Sequence, residues 1–511
     1  THLAPCRRRH ALIGCRPMSG PNLLYIHSDQ HSPFVMGCAG DPVVETPHLD
    51  RLASEGVVLD ACYCPSPLCV PSRMATLAGR YPSDNRVWTN SHMLASSTPT
   101  LAHAMGAGGY RPALVGRMHS VGPDQLHGYV ERLVGDHGPN HIGGRGADHG
   151  DLSGTAGPSR VSLTKSGPGQ SAYQVHDEDV TAASVDWLNR YGVRRRAGQT
   201  EDPFSLSVGY MLPHQPFVAR AEDYERYAGR VGPPRTPVAF SDALHPHLRD
   251  WRSRCGIEEV TEEEIARART AYWGLVDRMD RMIGQLLAAL EQNDLLHNTL
   301  IVYTSDHGEQ VGEHGLWWKQ TFYEDSARIP AILWWPSQLP SGIHCDRVCS
   351  SLDLNATMLD ALNCPSLPES RGRSMLPLLR NESQTWEDVA FCEFCLDPAG
   401  AAGPVGEEGV FQRMIRCGEW KLNYYHQQPS QLFNLQEDPR ETNDRIADPD
   451  CADVVSELTE RVLDSWNPDD IAEHMAHQRL DREILARWAR QTEPEDEFRW
   501  DLRPEMDYLD P

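Results

Sequence analysis

The sequence predicts an α/β fold: a large, mostly parallel central sheet flanked by helices, with a smaller C-terminal subdomain that contains an antiparallel sheet. Four apolar runs, typical of buried parallel strands, each give way to Asp, His or Arg residues. A long segment with apolar residues at helical spacing precedes the last of these runs. Beyond about residue 380, two short strand-like runs flank a turn instead.

The four predicted strands are Asn22–Asp29, Ala113–Val115, Phe204–Leu212 and Thr299–Asp306. Asp29, Arg117 with His119, His214 and Asp306 lie at or just after their carboxyl ends. Because open α/β sheets bind ligands at the carboxyl ends of their strands, we expect these side chains to meet at one edge.

The long helical segment begins with a capping box, in which Thr261 is the N-cap and Glu264 reaches back to it. Its apolar face extends to Leu290. The predicted hairpin consists of residues 420–425 and 431–435. These elements divide the chain into a main α/β domain at 18–380 and a C-terminal subdomain with an acidic tail at 381–511.

Two other segments stand apart from this pattern. Residues 1–17 are interpreted as a disordered or artefactual extension. Residues 135–169 contain ten glycines and little periodicity, which predicts either a lid over a site or an ordinary flexible surface loop.

The charge balance excludes several classes of function. Lys and Arg total 47 and Asp and Glu total 72, so the formal charge is −25, which disfavours binding to nucleic acid or to anionic membranes. No uncharged apolar stretch approaches 18 residues, so no membrane-spanning helix is expected. Fourteen cysteines without paired spacings indicate free thiols and a cytoplasmic location.

The segment from Pro67 to Arg80 carries the strongest chemical signal. Pro71 suits a first helical turn, which puts Cys69 at a helix N-terminus. The helix dipole predicts a lowered thiol pKa at that position. By this argument alone Cys69 is either a nucleophile or, more simply, a buried thiol.

Cys69-x-Pro71-Ser72-Arg73, followed by Ala78-Gly79-Arg80, resembles the signature of type I sulfatases in the alkaline phosphatase superfamily. Four further segments resemble family motifs in the family's order: Asn22–Gln30, Gly116–His119, Pro213–Phe217 and Ser305–Lys319. The resemblance extends from about Pro21 to Pro439. Asp29-Gln30 and Gly122–Gly128 are most similar to the choline sulfatase and phosphonate monoester hydrolase branch.

The resemblance implies an alkaline-phosphatase-like fold and hydrolysis of a small-molecule sulfate monoester. In this family the motif cysteine, here Cys69, is oxidised to formylglycine by a formylglycine-generating enzyme, and its hydrate is the nucleophile. Phosphonate monoester or phosphodiester hydrolysis at the same site is the alternative. The branch also implies a homo-oligomer, either a dimer or a tetramer.

The implied metal ligands are Asp29, Gln30, Asp306, His307 and the modified Cys69. Oxygen donors with one imidazole suit a divalent cation, and the choice among Ca, Mn and Mg stays open.

The remaining implied site residues act on the hydrate and on sulfate. Arg73 is expected to orient the hydrate and His119 to act as a base. Lys319 and His214 are expected to hold sulfate oxygens, and His214 also to protonate the leaving alkoxide. Asn90 is expected to donate a further hydrogen bond to the substrate. Arg117 replaces the family's lysine, so it either grips sulfate differently or turns away to pair with an acid.

Overall fold

The computed structural model describes residues 20–397 and 409–511, so the predicted extension at 1–17 lies outside the described residues. The strands are β1 (Asn22–Asp29), β2 (Val57–Leu59), β3 (Cys62–Tyr63), β4 (Pro112–Gly116), β5 (Glu131–Leu133), β6 (Gly167–Gln170), β7 (Ser205–Pro213), β8 (Val218–Ala219), β9 (Thr299–Ser305), β10 (Ala331–Trp334), β11 (Ile343–Cys345), β12 (Cys349–Ser350), β13 (Val389–Leu396), β14 (Val410–Cys417), β15 (Trp420–Tyr425), β16 (Gln431–Asn434) and β17 (Tyr508–Leu509). The α-helices are α1 (Pro47–Glu55), α2 (Cys69–Ala78), α3 (Pro82–Asn85), α4 (Leu101–Ala107), α5 (Val161–Thr164), α6 (Ala172–Arg196), α7 (Ala221–Tyr227), α8 (Pro246–Cys255), α9 (Glu262–Gln292), α10 (Glu324–Ala327), α11 (Ser351–Ala361), α12 (Leu376–Leu379), α13 (Ala452–Leu463) and α14 (Pro468–Thr492).

The central sheet has eight strands in the order β11-β2-β10-β9-β1-β7-β4-β5. Only β10 runs antiparallel to its neighbours, which confirms the prediction of a large, mostly parallel sheet. The four strands recognised in the sequence are the consecutive strands β9-β1-β7-β4. Their carboxyl ends therefore lie side by side, and the residues that follow them share one edge.

Both faces of the sheet are covered. Along β1, Leu24 and Ile26 belong to one apolar core, whereas Leu23 and Tyr25 belong to the core on the other face. The helix α9 packs in the first of these cores. Burial on both faces explains why β1 is continuously apolar from Leu23 to Ile26 instead of alternating.

The capping box that was predicted for α9 is present. The hydroxyl of Thr261 accepts a hydrogen bond from the backbone N–H of Glu264 over 3.2 Å, and the Glu264 carboxylate accepts the Thr261 N–H over 2.9 Å. These two bonds satisfy N–H groups that the first helical turn would otherwise leave unpaired. No helix in the described part of the chain is long and apolar enough to cross a membrane.

The C-terminal region contains the antiparallel sheet β13-β14-β15-β16, in which β15 and β16 are the predicted hairpin. Lys421 of β15 joins this sheet to the main domain. Its ammonium lies 2.9 Å from Glu324 of α10 and 2.7 Å from Glu441, and it is fully buried. The boundary at residue 380 stays a prediction.

The glycine-rich segment 135–169 contains α5 and the first part of β6 but is otherwise largely irregular. The acidic tail folds back onto it: the N–H of Trp500 donates to the Asp136 carbonyl over 3.0 Å, and Asp507 contacts His149 over 3.0 Å. The segment also reaches the site, since the Gln215 amide donates to the Ala156 carbonyl over 3.0 Å. Its role as a lid stays a prediction.

Candidate active site

Cys69 is the first residue of α2, as the sequence predicted. Asn90 accepts the N–H of Val70 over 3.0 Å and so braces the turn that presents the cysteine. The prediction of a lowered thiol pKa is wrong: burial and the nearby Asp29 carboxylate raise the pKa of Cys69 to about 12. Loss of hydration therefore outweighs the helix dipole, and an unmodified Cys69 is a protonated, poor nucleophile at neutral pH.

Four side chains converge on one point at the sheet edge. Donor atoms of Asp29, Cys69, Asp306 and His307 all lie within 4.8 Å of one another, and all four residues are buried. The Cys69 sulfur lies 3.2 Å from His307 Nε2 and 3.7 Å from Asp29 Oδ1. These residues come from β1, from the start of α2 and from the turn after β9, so the parallel sheet brings them together.

The donor set fits a divalent cation. His307 Nδ1 contacts the Gly308 carbonyl over 3.0 Å and must carry the proton, which leaves a lone pair on Nε2 facing the cluster. Burial lowers the pKa of His307, so its imidazole stays neutral, as a metal ligand must. Asp29 and Asp306 each direct one oxygen at His307 Nε2, over 3.8 and 3.6 Å.

Arg73 holds the outer oxygens of both carboxylates. Its Nε donates to Asp306 Oδ2 over 2.9 Å, and its Nη2 lies 3.2 Å from Asp29 Oδ2. A third bond, over 2.7 Å, joins Nη1 to Nδ1 of His27. The guanidinium thus partly neutralises the acids and orients their remaining oxygens toward the cluster.

Arg117, the replacement for the family's lysine, pairs with acids. Its Nε donates to Asp29 Oδ2 over 2.8 Å, its Nη1 to Asp136 Oδ1 over 3.2 Å, and its Nη2 to His119 Nδ1 over 2.8 Å. Asp136 also accepts the His119 N–H over 2.8 Å, and a bond from Arg132 over 2.7 Å. All three guanidinium nitrogens therefore have partners within the protein.

This arrangement changes what His119 can do. Because a guanidinium can only donate, Nδ1 of His119 accepts, and the neutral ring carries its proton on Nε2. Burial and Arg117 lower the pKa of His119 to about 3, which keeps the ring neutral. The predicted role of base therefore requires that the bond from Arg117 be released.

Gln30 lies next to the cluster but is held by other groups. Its backbone N–H donates to Asp306 Oδ1 over 3.0 Å. Its side-chain NH2 donates to Glu309 and, over 2.6 Å, to Gln215, while its Oε1 accepts from the Lys319 ammonium. Its role as a metal ligand stays a prediction.

Lys319 also contacts His214, with 2.8 Å between Nζ and Nε2. Nδ1 of His214 contacts the Gln215 carbonyl over 2.5 Å and so carries the proton, which makes Nε2 the acceptor. Burial and the neighbouring Lys319 lower the pKa of His214 well below its usual value. In this pair Lys319 is therefore the hydrogen-bond donor and His214 Nε2 the acceptor.

Two buried residues that the sequence reasoning passed over belong to this site, Asp136 and Glu309. Asp136 follows β5, so the strand-end argument that selected Asp29 applies to it as well. That strand is only three residues long and partly exposed, so the sequence there lacks the apolar run that marked the other strands. Glu309 stands inside the Ser305–Lys319 motif, but only the fold shows that it faces Gln30.

Comparison with known proteins shows the family of the chain. A family model described as Sulfatase matches residues 21–364, and one described as N-sulphoglucosamine sulphohydrolase, C-terminal, matches residues 312–467. The chain is 33% identical over 450 residues to choline-sulfatase of Rhizobium meliloti (strain 1021), covering 84% of this chain and 83% of that protein. It is 26% identical over 472 residues to arylsulfatase K of Danio rerio, covering 87% and 84%.

Solved structures agree on the fold. The phosphonate monoester hydrolase of Agrobacterium radiobacter superposes with a TM-score of 0.67 at 24% identity, covering 89% of this chain and 96% of that one. With the fold, the sheet-edge cluster and the extent of the family match in agreement, this chain belongs to the sulfatase family and is a sulfuric ester hydrolase.

Proposed function

We propose that the chain hydrolyses a small-molecule sulfate monoester to an alcohol and inorganic sulfate, using formylglycine made from Cys69 and one divalent metal ion. The observation that supports this most directly is the position of the Cys69 sulfur inside a cluster of metal-ligand atoms. A nucleophile generated at that atom would lie beside the cation. A bound cation would polarise a sulfate oxygen and lower the pKa of a nearby hydroxyl.

The residues around the cluster then have distinct tasks. Asp29, Asp306 and His307 hold the cation, with Gln30 as a further candidate ligand, and two carboxylates with one imidazole suit Ca, Mn or Mg. Arg73 orients both carboxylates and partly neutralises their charge. The Lys319 ammonium binds a sulfate oxygen, and the Lys319–His214 pair supplies the proton for the leaving alkoxide.

Mass spectrometry of the peptide that contains Cys69 tests the nucleophile. Protein produced together with a formylglycine-generating enzyme should carry an aldehyde at this position. Cys69→Ala should abolish turnover while the melting temperature changes little. An unmodified thiol in fully active protein would overturn the proposed chemistry.

Substrate preference is tested separately, by comparing an aryl sulfate with an aryl phosphonate monoester. We expect the sulfate to be turned over with the higher kcat/KM. A preference for the phosphonate by orders of magnitude would favour the alternative activity at the same site.

The solvent-facing side of α14 supports the further proposal of a homo-oligomer. Leu480, Ile484 and Trp488 recur at a spacing of four residues and are 57%, 69% and 45% exposed. A two-fold axis at Ile484 would set Leu480 against Trp488 of a second copy. The same axis would pair Asp481 with Arg487, so the apolar and charged residues of this face are self-complementary in their order along the helix.

Light scattering on Ile484→Glu tests this assembly. We expect the wild type to be a dimer or tetramer and the variant to dissociate. Val193→Glu is the matched control, because Val193 is 58% exposed on another helix, and it should assemble normally. A monomeric wild type, or an assembled Ile484→Glu, would overturn the proposal.

We also propose a cytoplasmic location, which the free-thiol state of the twelve cysteines in residues 20–397 and 409–511 supports. Titration of thiols in the unfolded, unreduced protein from its host tests this, since disulfides would argue for an oxidising compartment.

A further inference from the structure

The side chain of Gln30 lies between two buried polar groups, the carboxyl group of Glu309 and the terminal nitrogen of Lys319. On one side, its NH2 group donates to the Glu309 carboxylate; on the other, its carbonyl oxygen accepts from the Lys319 ammonium. All three residues are at least 95% buried, with exposures of 0% for Gln30, 0% for Glu309 and 5% for Lys319. Solvent therefore does not replace these contacts.

The orientation of the Gln30 amide follows from its partners. Gln215 uses its own NH2 group to donate to the Ala156 carbonyl over 3.0 Å, so the oxygen of Gln215 is the atom that faces Gln30. An ammonium can only donate, so Lys319 requires an oxygen on its side. Reversing the Gln30 amide would set N–H groups against Lys319 and oxygen against oxygen at Glu309.

Glu309 is itself fixed in place. Its Oε1 accepts the backbone N–H of Val311 over 2.9 Å and that of Trp318 over 2.7 Å, which leaves Oε2 for Gln30. Trp318 directly precedes Lys319 in the chain, so Glu309 holds both the backbone next to Lys319 and the amide that its ammonium contacts.

We propose that Glu309 is a positioning residue that acts through Gln30 to hold the Lys319 ammonium where it binds the sulfate group of the substrate. The statement that Lys319 binds the sulfate group rests on the proposed function. The contact between Glu309 and Gln30 does not depend on it.

An isosteric exchange of the two side chains tests the inference. In Glu309→Gln an NH2 group replaces the Oε2 acceptor, so the Gln30 amide must turn and present N–H groups to Lys319. In Gln30→Glu two carboxylates face each other. The double variant restores a donor opposite an acceptor and keeps an oxygen for Lys319. It loses the bond to Gln215 and places a carboxylate oxygen at position 30 against the Gln215 oxygen, as Gln30→Glu alone also does.

Each single variant should raise KM for the sulfate ester by about tenfold or more, the usual scale for a buried hydrogen bond to a charged group, with a smaller change in kcat. The double variant should return KM to within about threefold of wild type, because the two changes are directly coupled. Glu309→Gln should cause no further loss of kcat/KM in a Lys319→Ala background. Glu313→Gln is the matched control: Glu313 is also buried in this loop but binds Arg235 and Thr236, so KM should not change.

Single-variant effects on KM that simply multiply in the double variant would overturn the inference. So would an unchanged KM in folded Glu309→Gln. If Glu309→Gln does not fold, Gln30→Glu compared with the double variant gives the same test. Thermal unfolding of the four proteins measures the Glu309–Gln30 contact without any substrate, so a wild type that hydrolyses no sulfate ester would refute the proposed function separately.

Discussion

Arg117 donates a hydrogen bond from Nη2 to Nδ1 of His119 over 2.8 Å, while its Nε holds Asp29 over 2.8 Å. One planar guanidinium thus links a metal-ligand candidate to the imidazole beside it. An ammonium carries its three N–H donors on one nitrogen, so it cannot reproduce the separately placed N–H groups of the planar guanidinium. Arginine in place of the family's lysine therefore changes which side chains around the cluster are joined by hydrogen bonds.

Arg117→Lys should lower kcat/KM by about tenfold to a hundredfold, because the charge remains but at least one buried bond to a charged group is lost. The measurement is steady-state kinetics on the metal-loaded protein. The pH profile should also change, since His119 loses the donor that fixes its tautomer. Arg371→Lys, at an exposed pair with Asp84, is the control and should leave kinetics unchanged. Unaltered kinetics in Arg117→Lys would show that the planar guanidinium of Arg117 does not contribute to catalysis.

Arg73→Met should destabilise the metal-free protein by about 3–5 kcal/mol, because it leaves the buried Asp306 without its guanidinium partner and Asp29 with Arg117 alone. A bound cation replaces part of the lost charge. Removing the metal with a chelator should therefore lower the melting temperature of the variant by more than that of the wild type. Equal shifts in both proteins would mean that the carboxylates do not hold the metal.

His92→Asn should make the protein less sensitive to acid. Burial lowers the pKa of His92 to about 3, so the folded form keeps this ring neutral and binds no proton there. Below about pH 6.5 the unfolded chain takes up that proton, so stability falls with falling pH down to about pH 3. In the wild type, Nδ1 of His92 accepts a hydrogen bond from the backbone N–H of Trp88 over 3.1 Å. Asparagine at this position keeps an acceptor for that N–H.

The measurement is the free energy of unfolding between pH 6.5 and 4, where the slope should decrease by up to about 1.4 kcal/mol per pH unit. His297→Asn removes an exposed histidine and should leave the slope unchanged. If both variants change the slope by the same amount, the folded protein does not hold His92 buried and neutral.

Lys421→Met should destabilise the fold by about 3–5 kcal/mol, because it removes the cation shared by Glu324 and Glu441. Chemical denaturation measures the loss. The triple variant Lys421→Met, Glu324→Gln, Glu441→Gln should recover much of it, since no unpaired charge remains buried. A single variant as stable as the wild type would contradict the role of this triad in joining the C-terminal sheet to the main domain.

The sequence was sufficient for the framework of the site. Apolar runs ending in polar residues located β1, β4, β7 and β9, and the strand-end rule placed Asp29, His119, His214 and Asp306 at one edge. The helix start at Cys69 followed from Pro71 and from the helix-forming residues Met74 to Leu77. These inferences succeeded because strand and helix patterns depend on residues close together in the chain.

Only the tertiary structure decided how the charged groups pair. Arg117 and Asp29 are 88 positions apart, and Gln30 and Glu309 are 279 positions apart. The thiol pKa of Cys69 was wrong from sequence for the same reason, since its burial and the approach of Asp29 outweigh the local helix dipole. Local pattern thus determined which residues reach the site, whereas burial and long-range packing determined their protonation, orientation and partners.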